Sequence, residues 1–219
     1  LMIAALATAA RTFDAPDYEE AAVEAADFLL DTMRDDDGRL LHRYRDGDAD
    51  IRAHLDDYAF LTWGLIELYE TTFAPRWLKA ALSLLDESLD HFWDADEGGF
   101  FLTADDGEEL IVRPKEISDG AMPSGNSVQL ANLLRLARLT GRTEYETRAD
   151  ALARWAGRQA RSRPTGFTAL LAGLAFALGD AREVVIAGAR EEDDTQALVD
   201  VLREAYTPFT VALHRPPGE

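Results

Sequence analysis

The chain has 219 residues, and its 22 lysines and arginines against 41 aspartates and glutamates give a formal net charge of −19. This charge excludes a general nucleic-acid or anionic-membrane surface, because affinity for phosphate comes mostly from lysine and arginine. Apolar residues make up 47% of the chain, enough for a substantial core, and the lack of cysteine excludes disulfides, thiolate metal sites and a cysteine nucleophile.

Helical periodicity dominates the first 180 residues, and the helices come in pairs. The first stripe breaks at the sequence DAPDY, where Pro16 opens the next helix at its first turn. The face expected to be buried on that helix is formed by Tyr18, Ala22, Ala25, Phe28, Leu29 and Met33. A second pair divides at Pro75 and a third at residues 140–143. A seventh helix is expected at about Thr168–Leu178.

The pairs form a repeat with insertions of variable length. Tyr18, Trp77 and Tyr145 occupy the same place, just inside the second helix of each pair. The insertions are predicted to be short β-structure. Arg39–Arg45 alternates weakly, and GGFFLTADDGEELIVRP (residues 98–114) predicts two strands joined at an Asp-Gly turn.

From residue 181 the pattern changes to strand, helix and strand, which predicts a small βαβ tail over residues 181–219. The expected fold is therefore mainly α. Residues 1–180 form about three and a half antiparallel helical hairpins with short β-hairpin insertions, followed by the α/β tail. Three and a half hairpins cannot close a ring, so the complete array is expected to contain more of them.

The segment RPKEISDGAMPSGNS, residues 113–127, is the strongest candidate for a binding site. Glycines and a proline fix this loop directly before a helix, whose N-terminus offers free backbone N–H groups to a hydroxylated or anionic ligand. Its charged and polar candidates are Arg113, Lys115, Glu116, Asp119, Ser124, Asn126 and Ser127. The alternative is structural, with Ser124 or Asn126 capping the helix and a solvated charged loop before it.

A second candidate is LDDYAF, where Asp56 and Asp57 start the third helix and Tyr58 begins its apolar stripe. Two carboxylates here suit general acid/base chemistry on a glycoside, although acidic residues in a first turn are also favourable to the helix dipole. Adjacent helical residues diverge by about 100°, so only one of the two carboxylates is expected to point into a site.

Metal and cofactor sites have little support in the sequence. Asp46–Asp57 resembles a calcium loop, but Ile51 stands where that loop requires glycine, so an acidic surface turn is expected instead. The four histidines form no zinc pattern, although His54 and His42 are possible bases or sugar contacts at one end of the array. Dinucleotide, P-loop and hydrolase-elbow motifs are absent, so we expect no cofactor and no metal.

Three segments carry a resemblance to a known family: LDDYAFLTWGLIELYE, WLKAALSLLDESLDHFWDADEGGFF and RPKEISDGAMPSGNSVQLANLLRLARLTG. They resemble the helical domain of the thioredoxin-domain-containing, spermatogenesis-associated protein family. In that family a helical toroid, similar to six-hairpin glycosidases and N-acylglucosamine 2-epimerases, follows a thioredoxin-like domain. The resemblance implies that this chain is the later part of an (α/α)6 toroid. It also implies a carbohydrate-processing ancestry, with both candidate segments at the central cavity.

Two functional hypotheses follow. In the first, the chain binds a sugar-like molecule and isomerises or hydrolyses it. Asp119, Glu116 or Asp57 would then be the catalytic acid or base, and the substrate contacts would be Arg113, Lys115, Tyr58, Asp56, Ser124, Asn126 and Ser127. In the second, the chain is a non-catalytic scaffold or truncated domain whose loop residues only tie hairpins together. The substitution Asp119→Asn abolishes turnover under the first hypothesis and lowers the melting temperature under the second.

The remaining expectations concern partners and environment. Apolar faces at the ends of a partial array need covering, which predicts a homodimer or a missing N-terminal half. Only two lysines occur beside many aspartates, which is typical of salt-adapted proteins and also of arginine-rich codon usage. The apolar N-terminal stretch is too short for a membrane span and lacks basic residues before it, so a cytoplasmic protein without a membrane segment is expected.

Overall fold

A computed structural model of the chain describes residues 1–107 and 111–218. Three helical hairpins follow one another along the chain, then a single further helix, and then a strand–helix–strand tail. The helices are α1 Met2–Phe13, α2 Pro16–Thr32, α3 Leu55–Thr72, α4 Pro75–Phe92, α5 Gly125–Thr140, α6 Thr143–Ala160, α7 Thr168–Leu178 and α8 Asp193–Glu204. The strands are β1 Leu41–Arg45, β2 Asp48–Arg52, β3 Arg182–Ala187 and β4 Thr210–Arg215.

The hairpins form two layers. Helices α1, α3, α5 and α7 pack side by side as an inner layer, while α2, α4 and α6 each pack outside the inner helix that precedes them. Prolines set two of the outer helices, since Pro16 and Pro75 stand at the first helical position, where the missing N–H costs nothing. The resulting arc has a concave face lined by the inner helices, and this face carries the polar residues described below.

One hydrophobic core joins the two layers. Its largest fully buried side chains include Trp77 of α4, Tyr145 of α6 and Phe100 of the α4–α5 loop. Tail residues Ile186, Val199 and Val211 belong to the same cluster. In the tail, β3 and β4 pair in parallel, and α8 connects them, which is the small α/β tail expected of the fold.

The prediction for Tyr18 and Phe28 was wrong, because both side chains are more than 40% exposed. Trp77 and Tyr145, at the equivalent place in the later hairpins, are buried. The difference follows from position: the Tyr145 hydroxyl bonds Asp86 of α4, the outer helix before its own, whereas no outer helix precedes α2 among the described residues. Phe28 instead meets Tyr44 of β1 edge to face, with ring centroids 5.0 Å apart.

The first insertion is a β-hairpin, as predicted. Strands β1 and β2 pair antiparallel around Asp46 and Gly47, whose positive φ angles of 54° and 88° are those of a type I′ turn. The acidic sequence that resembles a calcium loop therefore forms this turn and the second strand.

The second predicted hairpin, over residues 98–114, is not formed in its described part, and residues 108–110 lie outside the described residues. Residues 98–107 and 111–114 contain only an isolated bridge between Phe100 and Trp93. A single backbone bond among the described residues joins the two predicted strands, from the N–H of Leu102 to the carbonyl of Pro114 at 2.8 Å, and side chains bond other backbone groups of the segment. The Asn126 amide pairs with both the N–H and C=O of Phe100, and the Arg113 guanidinium donates to the carbonyl of Thr103.

None of the helices in residues 1–107 and 111–218 has both the length and the hydropathy needed to cross a membrane.

Candidate functional site

One face of α3 carries polar and aromatic residues along the concave side of the arc. Asp56, Trp63, Glu67 and Glu70 follow one another at spacings of seven, four and three residues, which places them on a single helix face. Trp63 also donates from its indole Nε1 to Glu67 Oε1 at 3.0 Å. This face connects two regions, a carboxylate-rich end at Asp56 and a buried ionic network at Glu67 and Glu70.

The start of α5 positions two carboxyl-bearing residues at the first of these ends. The backbone N–H of Gly125 donates to the Asp56 carboxylate, and the Asn126 side chain donates to the carbonyl of Glu116 at 2.7 Å. A Cβ on Gly125 would stand 2.4 Å from Asp56 Oδ1, so only glycine allows this approach. We call Asp56, Asp57, Glu116 and the start of α5 the rim.

The rim concentrates negative charge. Burial raises the pKa of Asp56, and the neighbouring carboxylates of Glu116 and Asp57 raise it further, while the Gly125 N–H opposes the shift. Because the folded state binds this proton more tightly than the unfolded state, the Asp56 contribution to stability is largest below the unfolded pKa. It is lost as pH rises through the folded pKa. A carboxyl group that holds its proton in this way suits a general acid.

Asp57, the other member of the predicted pair, caps its own helix. Its Oδ2 accepts from the backbone N–H of His54 at 2.8 Å and lies 2.9 Å from Nδ1 of His42. The imidazole rings of His42 and His54 are 5.2 Å apart and nearly perpendicular. The expectation that only one of the two adjacent carboxylates faces a site fits this arrangement, with Asp56 directed at α5 and Asp57 at the β-hairpin.

Tyr58 points away from the concave face. Its hydroxyl accepts from the backbone N–H of Leu40 at 3.2 Å and from Arg39, and donates to Glu87 of α4. Burial, partly offset by Arg39, raises the pKa of Tyr58 to about 12, with Glu87 adding to the rise. The structure therefore places Tyr58 in the contact between the inner and outer layers, where it anchors the start of β1.

Asp119 joins the beginnings of two inner helices. One carboxylate oxygen accepts from the backbone N–H of Ser124 at 3.0 Å, and the other accepts from those of Ala169 and Leu170 at 2.8 and 3.3 Å. The last two belong to the first turn of α7, whose N-cap residue makes no side-chain cap bond of its own. This geometry suits a helix cap that links neighbouring hairpins.

We expect Asp119→Ala to lower the free energy of unfolding by about 1–2 kcal/mol, because it removes acceptors from three backbone N–H groups. Urea unfolding followed by circular dichroism measures the change. The matched control is Asp17→Ala, which removes an exposed carboxylate in the first turn of α2 and should cost less than about 0.5 kcal/mol. Equal effects of the two substitutions would contradict the capping role.

The two basic residues that were predicted to contact substrate form their bonds to α4 and to the loop between α4 and α5. Arg113 donates to the carbonyls of His91 and Thr103 and lies over the ring of Phe101. Lys115 bonds Asp94 Oδ2 at 2.5 Å and sits 4.6 Å above the ring of Trp155. Both cations hold the loop on α4 and α6.

The three polar residues at the start of α5 differ in what they contact. Ser124 is the N-cap, and its hydroxyl accepts from the N–H of Ser127, as the structural alternative predicted. Asn126 is fully buried and ties the loop to α5. Ser127 is bonded to Ser124 and also lines a groove on the concave face.

This groove has a volume of about 270 Å³ and lies between α3, α5 and α7. Its wall is mostly apolar, including Val128, Ala131 and Phe176, with the indole of Trp63 on one side. An aromatic face beside polar groups suits a sugar ring, which presents both C–H and hydroxyl surfaces. Trp63 was not among the residues predicted to form the site. The available signal was its seven-residue spacing from Asp56, which puts both on one helix face.

Among residues 1–107 and 111–218, two clusters bring together groups of the kind that bind metal ions. The ligand atoms of His42, His54 and Asp57 lie within 4.8 Å of one another, although a cation there would oppose the positive end of the α3 dipole. His91, Asp105 and Asp106 form the other cluster. There the Asp106 carboxylate already pairs with two arginines, Arg39 at 2.5 Å and Arg52 at 2.9 Å.

Solved structures with the same architecture process carbohydrates. Cellobiose 2-epimerase from Bacillus thermoamylovorans has a TM-score of 0.58 at 19% identity, over 69% of this chain and 41% of its own. The GH76 α-mannanase from Bacteroides thetaiotaomicron has a TM-score of 0.56 at 15% identity, over 72% of this chain and 42% of its own. At such identities the likeness concerns the fold alone, and it defines the chain as part of an (α/α)6 toroid.

The sequence comparison is more specific. Human spermatogenesis-associated protein 20 is 34% identical over 202 residues, which cover 88% of this chain and 26% of the human protein. The chain belongs to the spermatogenesis-associated protein 20 family, as its sequence motifs predicted, and it spans about a quarter of the length of that relative. No family model matches the sequence.

Proposed function

We propose that this chain binds a carbohydrate-like molecule on its concave face and isomerises or hydrolyses it at the rim, with Asp56 as general acid and Glu116 as general base. The observation that carries the proposal is that adjacent residues at the start of α5 fix both positions: the Gly125 N–H donates to the Asp56 carboxylate, and the Asn126 amide donates to the backbone carbonyl of Glu116. The negative charge of Glu116 is close enough to help raise the pKa of Asp56. The groove beside Trp63 supplies a surface of the right size and character for a sugar ring.

The physical logic is that of two acids in different environments. The Asp56 carboxyl group is partly buried, which raises its pKa and favours the protonated form that can donate to a leaving or carbonyl oxygen. Glu116 follows a loop fixed by Lys115 and Arg113 and contributes the second carboxylate. Isomerisation and hydrolysis both need such an acid and base on either side of the reacting carbon.

The test is turnover of defined sugars followed by ¹H NMR, with cellobiose and α-mannobiose as first substrates. Anomeric signals of a new disaccharide, without free monosaccharide, indicate isomerisation. Free monosaccharide indicates hydrolysis. Asp56→Asn and Glu116→Gln are each expected to reduce the rate by about 10²–10⁴-fold. The control Glu24→Gln, on the exposed side of α2, should leave the rate unchanged.

Full activity in Asp56→Asn or Glu116→Gln would overturn the assigned roles. A cooperatively folded protein that neither binds nor converts these or related sugars would favour the second candidate function, a non-catalytic scaffold. One observation supports that alternative: Asp119, Arg113 and Lys115 all make bonds between loops and helices.

A further inference from the structure

A second cavity, with a volume of about 320 Å³, lies between the inner helices and the tail. It is separate from the rim, because Glu67 follows Asp56 by eleven residues along α3, a rise of about 16 Å. Residues of α1, α3 and α5 form one side, and α8 with the segment leading to β4 forms the other. The charged lining comprises Arg11, Glu67, Glu70, Arg135 and Arg203.

Most of these charges are paired with one another. Arg135 donates to Glu67 Oε1 at 2.6 Å and to Glu70 Oε2 at 2.7 Å, and Arg11 donates to Glu67 Oε2 at 2.5 Å. Glu67 thus has both oxygens occupied. Three guanidinium groups face two carboxylates, which leaves one positive charge in excess within a chain of net charge −19.

Two buried polar atoms of this lining have no hydrogen-bond partner within residues 1–107 and 111–218. They are Oε1 of Glu70, an acceptor, and Nε of Arg203, a donor. Arg203 is held in place by its other nitrogen, which donates to the carbonyl of Thr71 at 3.1 Å. Leaving such groups unsatisfied is costly, so an acceptor and a donor at one cavity point to a bound polar molecule.

We propose that this cavity binds a small hydroxylated carboxylate of about the size of a sugar acid. The carboxylate accepts from Arg203 Nε and balances the excess positive charge, and a hydroxyl group donates to Glu70 Oε1. Each atom is reached by a small rotation of its side chain, because both are shielded from solvent in the free chain. The threonine hydroxyl of Thr8 and the apolar side chains of Phe73 and Leu202 complete the lining. A cavity of this volume is at the small end of ligand sites, which fits a single sugar ring rather than an oligosaccharide.

The test is isothermal titration of the full chain with sodium D-glucuronate, D-glucose and sodium acetate. Glucuronate, which carries both the charge and the hydroxyls, should bind, while glucose and acetate should bind at least tenfold more weakly. Arg203→Gln should weaken glucuronate binding by about ten- to a hundredfold, because one charge-assisted hydrogen bond is lost. The matched control is Arg190→Gln, since Arg190 also bonds a carbonyl at the end of α3 but does not line the cavity.

Three results would overturn the proposal: no binding of glucuronate, equal binding of glucose, or unchanged binding in Arg203→Gln. Circular dichroism of both arginine variants establishes that they fold. The rim is tested separately, because a double variant Asp56→Asn, Glu116→Gln should retain glucuronate binding here while losing turnover there. The two proposals therefore fail independently.

Discussion

Replacing Arg135 by methionine is expected to destabilise the chain by about 3–5 kcal/mol, because it leaves two buried carboxylates without their shared partner. Glu67 and Glu70 have side chains only 9% and 11% exposed, and Arg135 bonds both. Methionine keeps most of the volume of the arginine stem, so the loss reports the missing charge. Urea unfolding at neutral pH measures it.

The same substitution should change the acid sensitivity of the fold. Burial alone raises the pKa of Glu67, but the Coulombic attraction of Arg135 and Arg11 outweighs it and lowers the pKa to about 2. Stability contributed by this group is present above its usual pKa of 4.5 and is lost as pH falls toward 2. The decline in that window should be shallower in Arg135→Met than in the wild type.

Arg138→Met is the matched control for this prediction. Arg138 lies three residues further along α5 and pairs with Glu183 at 3.3 Å, but both side chains are at least one-third exposed. Exposed pairs contribute little, so the control should cost less than about 1 kcal/mol. If Arg135→Met lowers the free energy of unfolding no more than the control does, the charge of Arg135 does not stabilise the buried network.

Gly99→Ala is the second substitution with a large expected effect, a loss of about 2–4 kcal/mol. The residue has φ of 83°, which costs a side chain about 1–2 kcal/mol, and the new Cβ would stand 2.7 Å from Cε3 of Trp155. Overpacking of this kind adds about 1–3 kcal/mol. Thermal and urea unfolding both measure the loss.

An opposite effect is expected for Gly157→Ala. Gly157 lies within α6 and has no positive φ, and a Cβ added there would meet no atom within 4 Å outside its own turn of helix. Alanine should therefore stabilise the helix by about 0.5–1 kcal/mol. Both substitutions add the same methyl group, so the difference between their effects on stability reports the local geometry at each position. Destabilisation by both substitutions would contradict this explanation.

Local signals in the sequence were sufficient to predict most of the fold. Pro16 and Pro75 mark helix starts because, within a helical pattern, the missing N–H is tolerated only in the first turn. The change to a βαβ pattern after residue 180 is likewise a matter of local periodicity. The burial of Tyr18 was predicted wrongly because burial depends on which helices lie alongside, and among the described residues α2 has an outer neighbour, α4, on one side only.

The candidate site was less predictable, because the partners of its residues come from distant parts of the chain. The charged loop before α5 was predicted as a binding site, and its role stays a prediction. The bond from Asp119 to α7, however, spans about fifty residues, and Arg113 finds its acceptors at His91 and Thr103. Trp63 was missed since its indole looks like one more core residue until α3 is placed in the inner layer.

The shared cap at Asp119 also has a consequence for local opening of the fold. Since one carboxylate accepts from the N–H of Ser124 at the start of α5 and from N–H groups in the first turn of α7, any opening that displaces Asp119 releases the starts of both helices together. The amides of Ser124, Ala169 and Leu170 should therefore exchange with solvent deuterium at a common opening free energy. Neighbouring hairpins of the toroid would thus behave as one cooperative unit at the end that carries the rim.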